Sequence, residues 1–427
     1  MKDKPRLAPK LGYKMTEIGE IPEEWETVRL GEVAKVFSGA SAPQKGEYFE
    51  KGTFPFVRVS DLAVNKRTNN LTKVKDYVNE RALKELNLVK ANRGTLVFPK
   101  SGAAIENNNR ALLGTDAFVV SHLAAVYPAK EKASNTFLYY LSCMVDMTNY
   151  SNSPGYPTLK VSTIKEMLIP LPPLPEQQKI AEILSAVDEA IQKTEEIIQK
   201  TQELKKGFMQ QLLTRGIGHT KFKQTEIGEI PEEWAVKTIE QTCEILDSQR
   251  IPLNEETRKG MKGNIPYYGA NGLLDYISDH IFDDKLILIA EDGGYFEDYQ
   301  NRPIAYLVEG KCWVNNHAHV LKVRENGFVT EYIFYTLEHR NILPFIKGST
   351  RSKLNQKDLR SIRIPVPSSS EEQQKIAEIL STVDEKIEGE RRRNEKLEEL
   401  KKGMMQVLLT GKVRVKESLE FIESRSL

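Results

Sequence analysis

The chain has 427 residues, 40% of them hydrophobic and 28% charged, with a net charge of +1. A balance so near neutral excludes a polycationic nucleic-acid coat, and the length suggests two or three domains. The N-terminal MKDKPRLAPK has no apolar run behind its charges and does not read as a signal peptide. The most apolar stretch, Leu286 to Ala290, is too short to span a bilayer, so no membrane association is expected. Cys143, Cys243 and Cys312 are odd in number and lack CxxC spacing, which argues against a disulfide framework or a zinc site and for a reducing cytoplasm.

Taken in chain order, residues 1–25 end on TEIGEIPEEW at 16–25. A long segment, 26–172, follows and closes on IPLP at 169–172. From Pro175 to Leu213 the apolar residues Ile180, Ile183, Leu184, Val187, Ile191, Ile198, Leu204, Phe208 and Leu212 fall at three- and four-residue steps. That spacing predicts one helix, with prolines before it and Gly216 and Gly218 after it. A helix of roughly 39 residues is about 58 Å long. The spacer is placed at 173–214 and a linker at 215–234, whose residues 225–234 read TEIGEIPEEW again. A second long segment occupies 235–369, a second helix 370–411 and a tail 412–427.

The chain is therefore written twice. EQQKIAEILS at 176–185 recurs at 372–381, and LKKGFMQQLLT at 204–214 recurs as LKKGMMQVLLT at 400–410, both offset by 196. Between these shared parts, 26–172 and 235–369 have almost no sequence in common. A lone helix of this length leaves its apolar stripe wet, and the simplest partner is the other copy running antiparallel. The stripe is wider than a two-helix seam needs, which suits either a partner protein or packing on the variable segments. Gly207 and Gly403 match inside the helices and suggest close approach of another backbone or a kink. The polar run Glu390, Arg391, Arg392, Arg393, Asn394 reads as a solvated face. The fold class expected is α+β: two mixed α/β domains separated by a long antiparallel two-helix coiled coil, with an internal pseudo-twofold repeat.

TEIGEIPEEW, then PLPPLPEQQKIAEILSAVDEAI, then LKKGFMQQLLT, each repeated, resembles the specificity subunit of type I restriction–modification systems. The second hinge departs from the pattern, reading PVPSSSEEQQ, which loosens it and leaves the helix start intact. The resemblance implies two target-recognition domains that each read half of a split, asymmetric site in double-stranded DNA. It also implies helices that space those domains and dock two modification (methyltransferase) subunits, with restriction (motor-nuclease) subunits joining them. S-adenosylmethionine, ATP and magnesium then belong to the partner subunits, and this chain carries no cofactor.

The residues of the chain carry no recognisable catalytic motif. No (N/D)PP(Y/F) tetrapeptide, GxxxxGK(S/T) loop or GxGxxG turn occurs in the chain. FDDKLILIAEDGG at 282–294 brings acids around an apolar strand but lacks the lysine of a metal-dependent nuclease. His317 and His319 alternate, so on a strand both face one side, without an evident third metal ligand. No catalytic or metal residue is assigned. A rival from another class is a coiled-coil assembly scaffold whose variable domains bind proteins; a weaker one is a self-sufficient nuclease–methylase.

Segment 26–172 has 19 Lys and Arg against 13 Asp and Glu, whereas 235–369 has 17 against 18. The second gathers its positive charge late, at Arg340, Lys347, Arg351, Lys353, Lys357, Arg360 and Arg363. Phosphate contact supplies most non-specific affinity, and base reading needs Asn, Gln, Arg or Lys in a groove. Candidate DNA-binding residues in the first segment are Arg58 and the polar loop Lys100, Asn107, Asn108, Asn109 and Arg110, with Tyr156 and Lys160 near its end. In the second they are Tyr267, Tyr268, Asn271, Asn315, Asn316 and His317, with Lys347, Arg351 and Lys353 near its end. An asparagine cluster also suits a plain turn.

Overall fold

The computed structural model describes residues 10–64, 70–151, 156–348 and 352–415. The three- and four-residue apolar spacing forms two uninterrupted helices, Leu174–Arg215 of 42 residues and Ser370–Leu408 of 39. Neither helix is interrupted at its glycine, and a Cβ built on Gly207 or Gly403 meets no atom within 4 Å, so no other described segment of this chain approaches either glycine closely. Arg391, Arg392 and Arg393 are exposed, but Glu390 at the head of that run is buried and Asn394 at its end is half-buried, so only the arginines form the expected solvated face.

The chain divides into two compact units. The first comprises residues 1–196 and 391–427, and the second 197–390. Each long helix is thus shared. Its two halves belong to different units, and within each unit the start of one helix runs antiparallel to the end of the other.

The first unit opens on a hairpin, Tyr13–Thr16 with Gly19–Pro22, which is the first TEIGEIP copy. Strand Glu26–Arg29 then pairs antiparallel with Leu168–Leu171, bringing the two ends of the variable segment together. Inside that closure lie two sheets. One runs in the order Ala34–Ser38, Leu123–Pro128, Leu96–Pro99, Ala111–Leu113, Asn70–Leu71. The other runs Asp76–Val78, Phe54–Val57, Ala117–Val119, Val89–Ala91. Helix Asn135–Cys143 packs on the first sheet, and its core takes in Trp25, Phe137, Tyr140, Ile180, Leu184, Met405 and Leu408.

The second unit repeats this plan with other residues. Its hairpin is Phe222–Thr225 with Gly228–Pro231, and Ala235–Thr238 closes on Arg363–Val366. Its main sheet has six strands in the order Cys243–Ile245, Ala318–Val323, Phe282–Ala290, Ala305–Val314, Lys262–Gly269, Gly272–Ile277. Leu286 to Ala290 are almost wholly buried in it, which explains the apolar run as a central strand. Helix Thr330–Glu338 packs on that sheet, and the core includes Trp234, Tyr332, Met209, Leu212, Ile376 and Leu380.

The repeated sequence makes repeated contacts. Trp25 Nε1 donates to Glu176 at 2.9 Å, and Trp234 Nε1 donates to Glu372 at 3.1 Å. Gln177 takes the Ser134 N–H at 3.0 Å and donates to the Lys132 and Pro172 carbonyls at 3.1 and 2.8 Å. Gln373 does the same with Val329, Gly327 and Pro367 at 3.0, 3.0 and 3.1 Å. The second hinge, despite its serines, is therefore held as the first is. Further along, Asp188 pairs with Lys401 at 2.5 Å and accepts from Tyr140 at 2.7 Å. Asp384 pairs with Lys205 at 2.8 Å and accepts from Tyr335 at 2.9 Å.

These two ion pairs differ in one neighbour. Lys205 also reaches Glu338 at 2.8 Å, with side chains only 10% and 11% exposed. The position equivalent to Glu338 is Cys143, and Lys401 keeps 26% exposure. Removing one partner of a buried pair strands the other charge. Lys205→Met is expected to destabilise the second unit by about 3–5 kcal/mol, and Lys401→Met the first by only about 1 kcal/mol. Chemical unfolding followed separately in each unit checks this; equal losses would show that Glu338 adds nothing.

Candidate nucleic-acid interface

The two units share one junction although their sheets differ. In the first, Leu96–Pro99 ends in the loop 100–110, and Lys100 N–H donates to the His122 carbonyl at 2.9 Å while its own carbonyl accepts from Leu159 N–H at 2.8 Å. In the second, Phe282–Ala290 ends in the loop from Glu291, whose N–H donates to the His317 carbonyl at 2.8 Å and whose carbonyl accepts from Leu354 N–H at 2.7 Å. Isolated bridges, Ser101 to Thr158 and Asp292 to Lys353, extend both arrangements by a residue. Three segments far apart in sequence thus converge at the end of each central strand. The two late loops, around 156–160 and 352–355, occupy the matching places that their position near each domain's end suggests.

The residues singled out from the sequence separate into presented and engaged groups. In the first unit Asn107, Tyr156 and Lys160 are exposed, and Lys100 and Asn109 are half-buried. Tyr156 lies beside Gly102, whose φ of +77° lets the chain turn sharply there. Asn108, itself at φ 48°, donates to Asp146 and accepts from Met147 N–H, both at 3.1 Å. Arg110 donates to the carbonyls of Asn108 and Val145, and burial pushes its guanidinium below its ordinary range. These two tie the loop to the end of helix Asn135–Cys143. Arg58 is likewise engaged, paired with Asp76 and lying over the Phe49 and Phe56 rings.

In the second unit Asn316 is exposed and Tyr268 half-buried. Tyr267 corrects its expected place among the DNA contacts: it is 1% exposed, on strand Lys262–Gly269, with its hydroxyl against Leu253. Asn315 is buried, and its side chain accepts from His317 N–H at 2.8 Å, an Asx turn. Asn271 is exposed and donates to the Gly293 carbonyl at 3.1 Å. Lys347 pairs with Asp358 and Lys353 with Glu291, at 2.8 and 2.9 Å. Arg351 lies outside the described residues.

The two histidines do not share a strand face, because Ala318–Val323 begins after His317. His317 Nδ1 donates to Asp292 at 2.6 Å. His319 is buried, donating from Nδ1 to Asp247 at 2.6 Å and from Nε2 to the Leu354 carbonyl at 2.8 Å. Asp247, Glu291 and His319 do bring three potential ligand atoms within 4.8 Å. Arg250 and Lys353 already pair with Glu291, however, and both nitrogens of His319 are used. Burial would raise both carboxyls. The hydrogen bonds and charges of His319 and Arg250 at Asp247, and of Arg250, Lys353 and His319 at Glu291, outweigh it and hold both below the usual carboxylate range. The group is an internally neutralised knot that anchors the 352–355 loop to the sheet, and a divalent cation would have to displace two resident cations. Lys353, far off in sequence, supplies the lysine that the 282–294 acids lack locally.

Sequence reading missed His122, Ser101, Arg250 and Asp292. His122 shares a 2.6 Å hydrogen bond with Ser101, the counterpart of His317 with Asp292. IPLP at 169–172 recurs as IPVP at 364–367, and the same offset of 195 links His122 to His317, a signal present in the sequence.

Comparison with known proteins bears on the whole chain. The family model for the type I restriction modification DNA specificity domain matches residues 22–205 and again 231–399. The chain is 28% identical over 427 residues to the type I restriction enzyme MjaVIII specificity subunit of Methanocaldococcus jannaschii, covering 93% of this chain and 94% of the relative. It is 24% identical over 400 residues to the EcoprrI specificity subunit of Escherichia coli, covering 88% and 90%. The crystal structure of a type I restriction–modification S subunit from M. genitalium shares the fold, with a TM-score of 0.62 at 16% identity over 94% of this chain and 99% of that one. Two family matches that together span most of the chain, laid on its two copies of one architecture, make it a member of the type I restriction–modification specificity subunit family.

Proposed function

We propose that this chain reads a bipartite, asymmetric site in double-stranded DNA, one half per unit, and presents that site to two modification subunits and to restriction subunits in the cytoplasm. The observation that carries this is the shared junction. One frame, written twice, holds two unlike loop sets at the end of a central strand. A scaffold for identical partners has no use for that divergence, whereas a reader of two different half-sites requires it. Exposed Asn107, Tyr156 and Lys160 in one unit and exposed Asn316 with half-buried His317 in the other are the contacts we assign to DNA, with Lys100 and Asn109 behind them. Engaged residues such as Asn108, Arg110 and Asn315 shape the loops that present them.

The helices offer matching surfaces for matching partners. Leu204 and Leu400, 196 residues apart, are 51% and 46% exposed on their helices. An exposed leucine at the same place in both copies suits two molecules of one modification subunit. The methyl donor and the nucleotide chemistry lie in those partners, and this chain supplies recognition alone.

Gel-shift binding to DNA carrying the cognate site, with and without the modification subunit, tests the reading; absence of sequence-dependent binding in both arms would defeat it. The purified chain is expected to incorporate no labelled methyl group into DNA, and any incorporation by the chain alone would contradict that. Replacing residues 235–369 with the same segment from a relative is expected to change one half-site and leave the other as it was, read from a methylation-site map. Leu204→Glu and Leu400→Glu should each cost one modification subunit, seen as a fall in assembly mass from two copies to one; full assembly in both variants would remove the leucines from the interface.

A further inference from the structure

One side chain stands at the same place in both junctions. His122 and His317 each lie in a tight turn and precede the strand next to the central one, Leu123–Pro128 and Ala318–Val323. Each gives its carbonyl to the first residue leaving the central strand, Lys100 or Glu291. Each ring is then gripped through Nδ1 by the next residue, Ser101 Oγ or Asp292 Oδ1, both at 2.6 Å. Backbone and ring are thus fixed by two successive residues in both units, although the surrounding loops share no sequence.

This grip leaves one nitrogen over. Among the described residues no hydrogen bond engages Nε2 of either ring. His122 is exposed, and the His317 side chain is 39% exposed. An imidazole held at one nitrogen loses little rotamer freedom on binding, so the other nitrogen is presented at small entropic cost. Its role is also set. A carboxylate only accepts, so the Asp292 partner keeps the hydrogen on Nδ1 of His317 and leaves Nε2 of the neutral ring as an acceptor. That matches the amino hydrogens that adenine and cytosine show in the major groove. A serine hydroxyl can donate or accept, so His122 is free to present either role.

We propose that His122 and His317 are paired specificity-determining residues, each delivering Nε2 to the edge of one base pair in the half-site its own unit reads. Ser101 and Asp292 are positioning residues that select whether that nitrogen donates or accepts. The proposal rests on the DNA-reading function and names where that reading is made.

The test is a methylation-site map of genomic DNA from a host that carries the full chain with its modification subunits. The wild-type map comes first: if it shows no two-part motif, the DNA-reading function itself fails. Given that motif, His317→Ala is expected to relax one base pair in one half, and His122→Ala one base pair in the other. Discrimination at the affected position should fall roughly ten- to a hundredfold. Asp292→Asn keeps the size of the side chain but can donate to Nδ1 as well as accept from it, so the hydrogen is no longer held on Nδ1 and Nε2 gains the donor role. It should shift the preferred base at the position that His317→Ala relaxes, and a merely structural prop would not do this. An unchanged motif overturns the proposal. So does methylation that declines evenly over all sites, which marks a phosphate contact. If an alanine variant fails to assemble with the modification subunits, Asp292→Asn alone decides, and an unaltered preference there overturns the proposal.

Discussion

Everything else in this molecule depends on how a carboxylate is satisfied at the entrance of each long helix. Glu176 is 7% exposed and sits in the first turn, where helix dipole and orphan N–H groups favour an anion. It takes the Trp25 indole, Nε and Nη2 of Arg414 at 2.8 Å each, and the Val415 N–H. Glu372 takes the Trp234 indole, His219 at 2.8 Å and the Ile217 N–H. In both cases the tryptophan ends a TEIGEIPEEW copy, and the nitrogen-bearing side chain, Arg414 or His219, follows the end of the other helix. A buried carboxylate with only one of these partners would be costly. Each clasp therefore demands hairpin, helix start and helix end together, and antiparallel pairing of the helices follows from it.

The frame was legible because the same residues do the same work twice. Periodicity placed the helices at Pro175 to Leu213 and from Ser370 to Thr410, and they are Leu174–Arg215 and Ser370–Leu408. What the frame touches was not legible. Trp25 is 151 residues from Glu176, and Glu176 is 238 from Arg414, so no local pattern announces those pairs. For the same reason the helices looked like a spacer apart from the domains. In the structure Ile180, Leu184, Ile376 and Leu380 sink into the cores of the β-rich parts, and the compact units divide partway along each helix. The excess width of the apolar stripe is largely this packing.

The loops were legible as polar clusters and no further. Asparagine bonds its own neighbourhood as readily as a base edge. Asn108 and Asn315 do so here, while Asn107 and Asn316 beside them are exposed. Composition gives the four residues the same weight, and only a three-dimensional junction separates them. Tyr267 shows the reverse error. In a short aromatic–glycine stretch it reads as a loop residue, yet strand alternation turns it inward beneath Arg258, 5.1 Å from its ring.

The junction also explains how the loops can differ between the two units without loss of the fold. The central strands are unlike, four residues in Leu96–Pro99 and nine in Phe282–Ala290, and the sheets around them differ in number and order. What stays the same is a set of main-chain hydrogen bonds: Lys100 and Glu291 to the histidine carbonyls, Leu159 and Leu354 back to Lys100 and Glu291. Main-chain bonds place no demand on side-chain identity. Beneath them, Leu159 and Leu354 are fully buried and fix the depth of the late loop. Side chains that point away from this lattice are then free to vary, since altering them breaks no contact that holds the strands. Stability is concentrated in the clasps, the closing strand pairs and these backbone bonds. Variation between the two units is left to residues that stability does not need.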